Sequence, residues 1–373
     1  MKIHLIAAAR PNFMKIAPLY HALVKETWAE PIIVHTGQHY DINMSDAFFK
    51  DLKLPSPHIH LGIGSGSHAE QTGRVMIAYE KVLLEEKPQW VVVVGDVNST
   101  IACTIAACKI VFPASNGDNT LQRPVVAHLE AGLRSNDRTM PEEINRLVTD
   151  TLADILWTPS VDAVENLLAE GVAKEKINNV GNIMIDSLEM VRDSIEASNA
   201  FSTLGLVGGK YGLITLHRPA NVDSSESLSA LCRLLIDASQ KTPLVFPIHP
   251  RTKKNLVSFG LLEELQNASN IILKEPLTYI QFMNLVFNCK FVITDSGGIQ
   301  EETTYLGIPC LTMRPNTERP ITVSQGSNQL CTLDNLKRRL DSILEGDQKT
   351  HSVPDLWDGR TAERIVKAIH ALN

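Results

Sequence analysis

The chain has 373 residues, of which 44% are apolar and 21% charged, with a net charge of −7 and a pI of about 6.0. This balance is typical of a soluble globular protein, and the length predicts about two domains. The acidic charge argues against a nucleic-acid partner, which calls for a basic face. A membrane span needs an apolar run of about 18 residues, and no run in this sequence comes near that length. We therefore expect a cytoplasmic protein with no membrane contact.

Short apolar runs recur along the first half of the chain, and each is followed by an amphipathic segment. They read IHLIAAA, PIIVHTG, WVVVVGD, PVVAHLEAG and DILWTPS. Residues 91–94 form a continuous β-branched run, as a strand buried on both faces should. Strands that alternate with helices in this way predict a parallel sheet with right-handed crossovers.

A second series of apolar runs follows in the other half: YGLITLH, PLVFPIH, NIILKE, FVITDSGG and IPCLTM. The series pauses around 178–210, so we place the domain boundary near 178. The predicted fold is two doubly wound α/β domains, 1–177 and 178–357. The tail DGRTAERIVKAIHAL predicts an amphipathic helix over about 358–373, with Ile365, Val366, Ile369 and Leu372 on one stripe.

Ligands of doubly wound sheets bind at the carboxyl ends of the strands, so the polar residues that close each strand are the candidates for a site. Several also have a structural explanation, because Asp96 could cap the next helix and one acid of Glu142-Glu143 could simply occupy a helix start after proline. In the first half, the candidates are Arg10, Lys15, Asp96, His128, Glu130, Glu142, Glu143 and Arg146, and in the second half Asp295 also closes a strand.

In the second half, the strongest signal is the turn Ser296-Gly297-Gly298, where a strand stops and a helix begins. Backbone N–H groups at such a helix start suit a phosphate. The turn is neither a Walker A loop nor a GxGxxG fingerprint. Glu302 lies one helical turn further on, where a carboxylate can accept hydrogen bonds from ribose hydroxyls. The pattern therefore predicts a nucleoside diphosphate, with His217, Arg218 and His249 closing neighbouring strands.

The motifs RPNFMKIAPL, TGQH, GDVNST, HLEAGLRS, PEEINR, TLHRPANVD and TDSGGIQEE…LGIPCLTMR…TERP resemble, in this order, those of the non-hydrolysing UDP-N-acetylglucosamine 2-epimerases. The match spans residues 1 to about 330. The resemblance implies the GT-B architecture, with two Rossmann-like domains, an inter-domain cleft and a C-terminal helix that packs back on the first domain. It also implies a homodimer and a reaction with no cofactor and no metal.

The family reaction inverts C-2 of the sugar by elimination of UDP to a 2-acetamidoglucal, followed by re-addition. The resemblance assigns acid/base roles to Asp96, Glu130 and Glu142, and assigns support of the leaving group to His217. It implies a substrate site formed by Arg10, Lys15, Arg146, Phe282, Ser296, Gly297, Gly298 and Glu302, and a second, allosteric nucleotide-sugar site that includes Gln38, Glu142, Arg218 and His249.

The sequence departs from the family pattern at Asn12 and Ala220, where we expect acidic residues, and at Asp41, where we expect a glutamine. The preferred reading is the interconversion of UDP-GlcNAc and UDP-ManNAc for surface polysaccharide synthesis. Three alternatives stay open on the sequence alone: an epimerase of a modified UDP-hexosamine such as a diacetamido uronate or a 6-deoxy sugar, a GT-B glycosyltransferase, and a non-catalytic UDP-sugar sensor.

Overall fold

The computed structural model of the protein describes residues 1–37, 49, 51–113, 121–347 and 349–372. The chain forms two compact units, one from Met1–Met190 with Asp355–Asn373 and the other from Val191–Pro354. Each unit contains its own parallel sheet. All ten apolar runs that predicted strands contain one.

The first unit is built on a seven-stranded sheet. Its strands, together with a separate two-stranded hairpin, are β1 (Lys2–Ala7), β2 (Glu30–His35), β3 (Ile59–His60), β4 (Trp90–Val94), β5 (Phe112–Pro113), β6 (Leu121–Gln122), β7 (Val125–Leu129), β8 (Ile155–Thr158) and β9 (Ile177–Asn179). The sheet order is β3-β2-β1-β4-β7-β8-β9, with every pair parallel, while β5 and β6 pair antiparallel. β4 lies at the centre, which explains why all five of its residues are buried.

Helices connect these strands: α1 (Arg10–Leu23), α2 (His68–Glu86), α3 (Asn98–Lys109), α4 (Pro141–Leu152), α5 (Val161–Ala169) and α6 (Ile183–Met190), with a short 3₁₀ turn at Lys174–Lys176. The start of α2 is fixed by a capping box, in which the hydroxyl of Ser67 accepts from the N–H of Glu70 and the Glu70 carboxylate accepts from the N–H of Ser67.

The second unit repeats the plan with six strands, all paired parallel in the order β12-β11-β10-β13-β14-β15. They are β10 (Gly212–Thr215), β11 (Leu244–Pro247), β12 (Ile271–Lys274), β13 (Phe291–Thr294), β14 (Cys310–Thr312) and β15 (Asn328–Leu330). The helices are α7 (Arg192–Ala197), α8 (Ala200–Thr203), α9 (Pro219–Val222), α10 (Ser225–Ser239), α11 (Pro250–Ser258), α12 (Leu262–Asn267), α13 (Tyr279–Asn288), α14 (Gly297–Leu306), α15 (Pro320–Ser324) and α16 (Leu333–Glu345).

The first unit extends past the boundary expected near 178, because α6 belongs to it. The hydroxyl of Ser187 on α6 donates to the carbonyl of Met14 on α1 at 2.5 Å. The last helix, α17 (Thr361–Ala371), packs on α1 and α6. Its start is capped by Asp186, whose carboxylate accepts from the N–H groups of Thr361 and Ala362 at 3.0 and 2.8 Å.

The stripe predicted for the tail helix is correct at three of its four positions. Ile365, Val366 and Ile369 are buried, whereas Leu372 lies past the helix end and is 61% exposed. The prediction for Leu372 is wrong because the helix stops one residue earlier, so this side chain no longer follows the helical stripe. None of the helices in the described ranges has the length and apolar composition of a membrane span.

Candidate active site

A buried ion pair joins the carboxyl ends of β1 and β7 in the first unit. Lys15 lies on α1, and its ammonium pairs with the carboxylate of Glu130, the residue that follows β7. Both residues are only 7% exposed. Removing water from two charges costs several kcal/mol per ion. Stability alone therefore does not explain this buried pair, and its place at the strand ends indicates a functional role.

The backbone of Glu130 is held in an unusual conformation. Its φ is +73°, in the left-handed region that side chains other than glycine rarely adopt. The N–H groups of Glu130 and Ala131 both donate to the carbonyl of Trp157 on β8 at 3.1 Å, which fixes the turn. Such conformations cost energy and cluster at functional sites.

The turn after β4 lies against the same ion pair. Gly95 has φ +67°, and a Cβ added to it would lie 3.2 Å from the Lys15 ammonium and 3.7 Å from Glu130 Oε2. The carboxylate of the next residue, Asp96, pairs with the guanidinium of Arg146, and its side chain is 34% exposed. The structure thus brings Lys15, Asp96, Glu130 and Arg146 to one edge of the sheet.

His128 connects the turn after β4 with the turn after β7. This fully buried ring contacts the carbonyl of Gly95 through Nε2 at 2.8 Å and the carboxylate of Asp150 through Nδ1 at 2.6 Å. Asp150 also accepts from the N–H of Gly132, just beyond Glu130, at 3.1 Å. Burial acts to raise the pKa of Asp150, but His128 and Arg134 hold it below its usual value.

The two acids at the start of α4 have different environments. Glu143 is buried and accepts from the Ser135 N–H at 3.0 Å, the Asn136 N–H at 2.9 Å and the Arg146 guanidinium at 2.6 Å. Burial acts to raise the pKa of Glu143, but these bonds hold it below its usual value. Glu143 is therefore the structural acid of the pair. Glu142 also lies in the first turn of α4, but its side chain is exposed.

We expect loss of Arg146 to destabilise the first unit. In Arg146→Met the buried Glu143 loses its cation, which costs about 3–5 kcal/mol for a buried pair. The melting temperature, followed by circular dichroism, should fall by many degrees. Lys2→Met is the matched control, because Lys2 pairs with Glu86 at 2.6 Å on the half-exposed surface of the same unit. Equal melting temperatures for the two variants would contradict this role.

Two other predicted positions near the cluster differ in burial. Asn12 is 3% exposed, and its amide donates to the Val94 carbonyl at 3.0 Å and accepts from the Ala9 N–H at 3.0 Å. A glutamate carboxylate could not donate that first bond, so the departure from the family pattern has a structural role here. Arg10 is exposed at the first residue of α1 and so lies outside the buried part of the cluster.

In the second unit, Asp295 organises the ends of β10 and β13. It is fully buried, and its carboxylate accepts from the N–H of His217 at 3.0 Å, the N–H of Arg218 at 2.9 Å and the amide of Asn221 at 3.0 Å. The His217 ring contacts it as well, with Nδ1 2.9 Å from Oδ1. Asp295 was among the polar residues expected at strand ends, but its bonds to His217, Arg218 and Asn221 could not be predicted from the sequence.

His249 lies beside His217, with the ring centroids 5.4 Å apart. Its Nδ1 accepts from the N–H of Arg251 at 3.2 Å and caps α11. Burial, and next the proximity of His217, lower the pKa of His249. The geometry thus places His217, Arg218 and His249 together. Gln38, the other member of the predicted allosteric site, lies outside the described residues, so that site stays a prediction.

The two glycines of the predicted phosphate turn have different surroundings. Gly297 begins α14, and a Cβ there would lie 2.9 Å from both Arg319 and Glu318 side-chain atoms. A Cβ on Gly298 would meet nothing within 4 Å. A methyl group on Gly297 would therefore displace the ends of two buried, ion-paired side chains, whereas the space beside Gly298 is open. Ser296 is the N-cap residue of α14.

Four buried charged residues surround this helix start. Glu318 pairs with Arg314 at 2.8 Å and with Arg319 at 2.6 Å, and Arg319 also pairs with Glu301 at 2.9 Å. Burial acts against ionisation of Glu318, but the two guanidinium groups hold its pKa well below its usual range. All four residues stand in the motifs DSGGIQEE, LTMR and TERP, but their ion pairs could not be predicted, because these segments meet only in the folded unit.

Glu302 lies one turn into α14 and is 2% exposed. The hydroxyl of Tyr279, the first residue of α13, donates to its Oε1 at 2.7 Å. Burial raises the pKa of Glu302 to about 7, with the neighbouring Glu301 acting in the same direction and Tyr279 acting against it. Phe282 is half-buried on the same helix as Tyr279, so α13 and α14 bring two of the predicted nucleotide contacts to one end of the sheet.

The raised pKa of Glu302 makes stability depend on pH. Folding raises this pKa from the usual 4.5 of a glutamate to about 7, so the stabilisation by the protonated carboxyl is fully present below about pH 4.5 and is lost as pH rises through about 7. The loss is roughly 3 kcal/mol at about 1.4 kcal/mol per pH unit. The melting temperature of wild type should therefore fall relative to that of Glu302→Gln between pH 4.5 and 7.5. Parallel curves for the two proteins would refute the prediction.

A family model described as UDP-N-acetylglucosamine 2-epimerase matches residues 21–370. The chain belongs to the UDP-N-acetylglucosamine 2-epimerase family. Two curated relatives are each 40% identical to it: a UDP-N-acetylglucosamine 2-epimerase of Methanocaldococcus jannaschii, with 99% of both chains covered, and a UDP-2,3-diacetamido-2,3-dideoxy-D-glucuronate 2-epimerase of Pseudomonas aeruginosa, with 88% of both covered.

The fold of this epimerase-family chain agrees with a solved relative. The crystal structure of the Methanocaldococcus jannaschii UDP-GlcNAc 2-epimerase in complex with UDP-GlcNAc and UDP superimposes with a TM-score of 0.85 at 40% identity and covers 100% of both chains. The predicted fold class, two α/β domains of GT-B type with parallel sheets, is confirmed. Among the described residues, no group of three or more His, Cys, Asp or Glu side chains is arranged to hold a metal ion.

Proposed function

We propose that this chain is a UDP-N-acetylglucosamine 2-epimerase that interconverts UDP-GlcNAc and UDP-ManNAc. The observation that carries the proposal is the cluster of Lys15, Glu130, Asp96 and Arg146 at the carboxyl edge of the first sheet. It combines carboxylates for proton transfer with cations for an anionic substrate. The 40% identity to a full-length epimerase supports the choice of reaction.

The reaction begins with the loss of UDP. The C-1–O bond breaks and its electron pair leaves with UDP, while a base takes the proton from C-2, which leaves a C-1=C-2 double bond. UDP then adds back to C-1, and a proton is delivered to the other face of C-2. Inversion thus needs acid/base groups on two faces of the ring, which we assign to Asp96, Glu130 and Glu142. Arg146 holds Asp96 in position.

The second unit holds the nucleotide in this proposal. The N–H groups of Gly297 and Gly298 and the hydroxyl of Ser296 bind the diphosphate at the start of α14, where the helix dipole favours an anion. Glu302 binds the ribose, and Phe282 lies near the uracil. His217 supports the diphosphate as it leaves. As the family resemblance implies, Arg10 and Lys15 contribute positive charge to the phosphates. The open space beside Gly298 supports this assignment.

A modified UDP-hexosamine is the second candidate substrate, because the diacetamido-glucuronate epimerase is as similar in identity as the UDP-GlcNAc epimerase. Purified protein should be incubated with each UDP-sugar and the products separated by anion-exchange chromatography. We expect UDP-ManNAc from UDP-GlcNAc, with an equilibrium mixture reached from either side. Turnover of the diacetamido uronate alone would transfer the assignment to that substrate.

We further propose a cytoplasmic homodimer whose product feeds surface polysaccharide synthesis, on the strength of the family resemblance. Light scattering behind size exclusion gives the mass directly. A value of twice the 41.2 kDa chain mass is expected, and a value equal to it would refute the dimer.

A further inference from the structure

We propose that Asp295 is a positioning residue that fixes His217 as the Nδ1–H tautomer, so that Nε2 is the ring atom presented to the diphosphate. The inference deepens the proposed function and rests on it for the identity of the ligand. The pairing itself rests on the geometry of the second unit alone. Asp295 acts through His217 and is not assigned a contact with the substrate.

The hydrogen bonds around Asp295 leave little freedom for the ring. An ionised carboxylate can only accept hydrogen bonds, so at 2.9 Å the Nδ1 of His217 must donate. Burial acts to raise the pKa of Asp295, but the bonds from His217, Asn221 and the Arg218 backbone hold it below its usual value. The carboxylate is therefore charged, and the proton of a neutral His217 ring belongs on Nδ1.

The same carboxylate also fixes the backbone that carries His217. It accepts hydrogen bonds from the backbone N–H groups of His217 and Arg218. The Arg218 guanidinium in turn donates to the backbone carbonyl of Asp295 at 2.9 Å. β10 and β13 are adjacent, with Thr215 paired to Thr294. Asp295 therefore fixes the position of His217 relative to Ser296, the next residue in the chain, at the predicted phosphate turn.

This arrangement lets one ring atom both give and take a proton. The His217 side chain is 39% exposed, while its Nδ1 edge faces a fully buried group. With Nδ1 engaged, Nε2 donates to the diphosphate when the ring is charged and accepts the proton back when the ring is neutral. A departing and returning UDP needs both steps. An aspartate that selects a tautomer in this way matters by large factors in hydrolases.

Asp295→Asn tests the inference, because it keeps the size of the side chain but turns an amide N–H₂ toward Nδ1. Nδ1 then accepts, and the neutral ring carries its proton on Nε2. We expect kcat to fall about 10²–10⁴-fold, the range of general acid–base effects, with little change in KM. In a His217→Gln background the same substitution should have almost no further effect, since residues that act as a unit are not additive. Full additivity would overturn the inference.

The tautomer can be read without turnover from the ¹⁵N chemical shifts of the histidine side chains in the labelled full chain, with His217 assigned by the signal lost in His217→Gln. We expect Nδ1–H in wild type and Nε2–H in Asp295→Asn. Asn221→Ser, which removes a different bond to the same carboxylate, should leave the tautomer unchanged.

An Nε2–H tautomer in wild type would overturn the inference even if Asp295→Asn failed to fold. The expected tautomers in a protein that does not epimerise UDP-GlcNAc would instead support the pairing and refute the proposed function.

Discussion

We expect Glu130→Gln to lower the turnover of UDP-GlcNAc by about 10²–10⁴-fold, the range of a lost general acid or base. The amide fills the same space but cannot transfer the proton. UDP affinity, measured by calorimetry, should stay close to that of wild type, because the substitution leaves the proposed nucleotide contacts of the second unit unchanged and Lys15 in place. The melting temperature should fall, since a buried ammonium loses its carboxylate. Turnover is therefore measured well below the melting temperature of the variant.

Glu80→Gln is the matched control for this substitution. Glu80 is exposed on α2 in the same unit, so the same change of charge should alter neither turnover nor stability measurably. Turnover of Glu130→Gln within about threefold of the control, far from the loss expected of an acid/base group, would remove Glu130 from the acid/base set.

The adjacent glycines of the phosphate turn should separate binding from stability. In Gly298→Ala the new methyl group enters open space, so the melting temperature should not fall. If the diphosphate occupies that space, UDP affinity should fall about 10- to 100-fold, from an overpacking cost of about 1–3 kcal/mol. In Gly297→Ala the methyl group meets Arg319 and Glu318 at 2.9 Å, and because both side chains are held in a buried ion-pair network, the melting temperature should fall.

Calorimetry with UDP gives the affinity of each variant, and thermal melts give its melting temperature. Wild-type UDP affinity in Gly298→Ala would place the diphosphate elsewhere. Equal melting temperatures for the two variants would contradict the packing assigned to Gly297.

The main strands of both sheets could be predicted because each lies in a short apolar run that an amphipathic segment follows. The missed strands are the edge strands β3, β9 and β15, of two or three residues each, and the hairpin strands β5 and β6, of two. Such short strands exist because neighbouring strands pair with them, and no local pattern of hydrophobicity marks them. Leu372 was misplaced for a similar reason, since the end of a helix is poorly marked in the sequence.

The positions of the candidate site residues followed from the strand-end rule, which explains why Asp96 and Glu130 lie together. Their partners could not be predicted in the same way. The pairing of Lys15 with Glu130 depends on the crossover from β1 to α1. Which of Glu142 and Glu143 is the structural acid depends on which one reaches Arg146. Tyr279 and Arg319 come from other helices and loops, so only the folded unit shows that they contact Glu302 and Glu301.

The central claim is that the chain inverts C-2 through loss of the C-2 proton, and proton NMR of UDP-GlcNAc incubated with the protein in D₂O tests it most directly. The account predicts new UDP-ManNAc signals, with deuterium at C-2 of the product and progressively of the recovered substrate. UDP-ManNAc that retains its original C-2 hydrogen would contradict proton removal by the carboxylates. A UDP-GlcNAc sample that shows neither product nor exchange would contradict the assigned substrate.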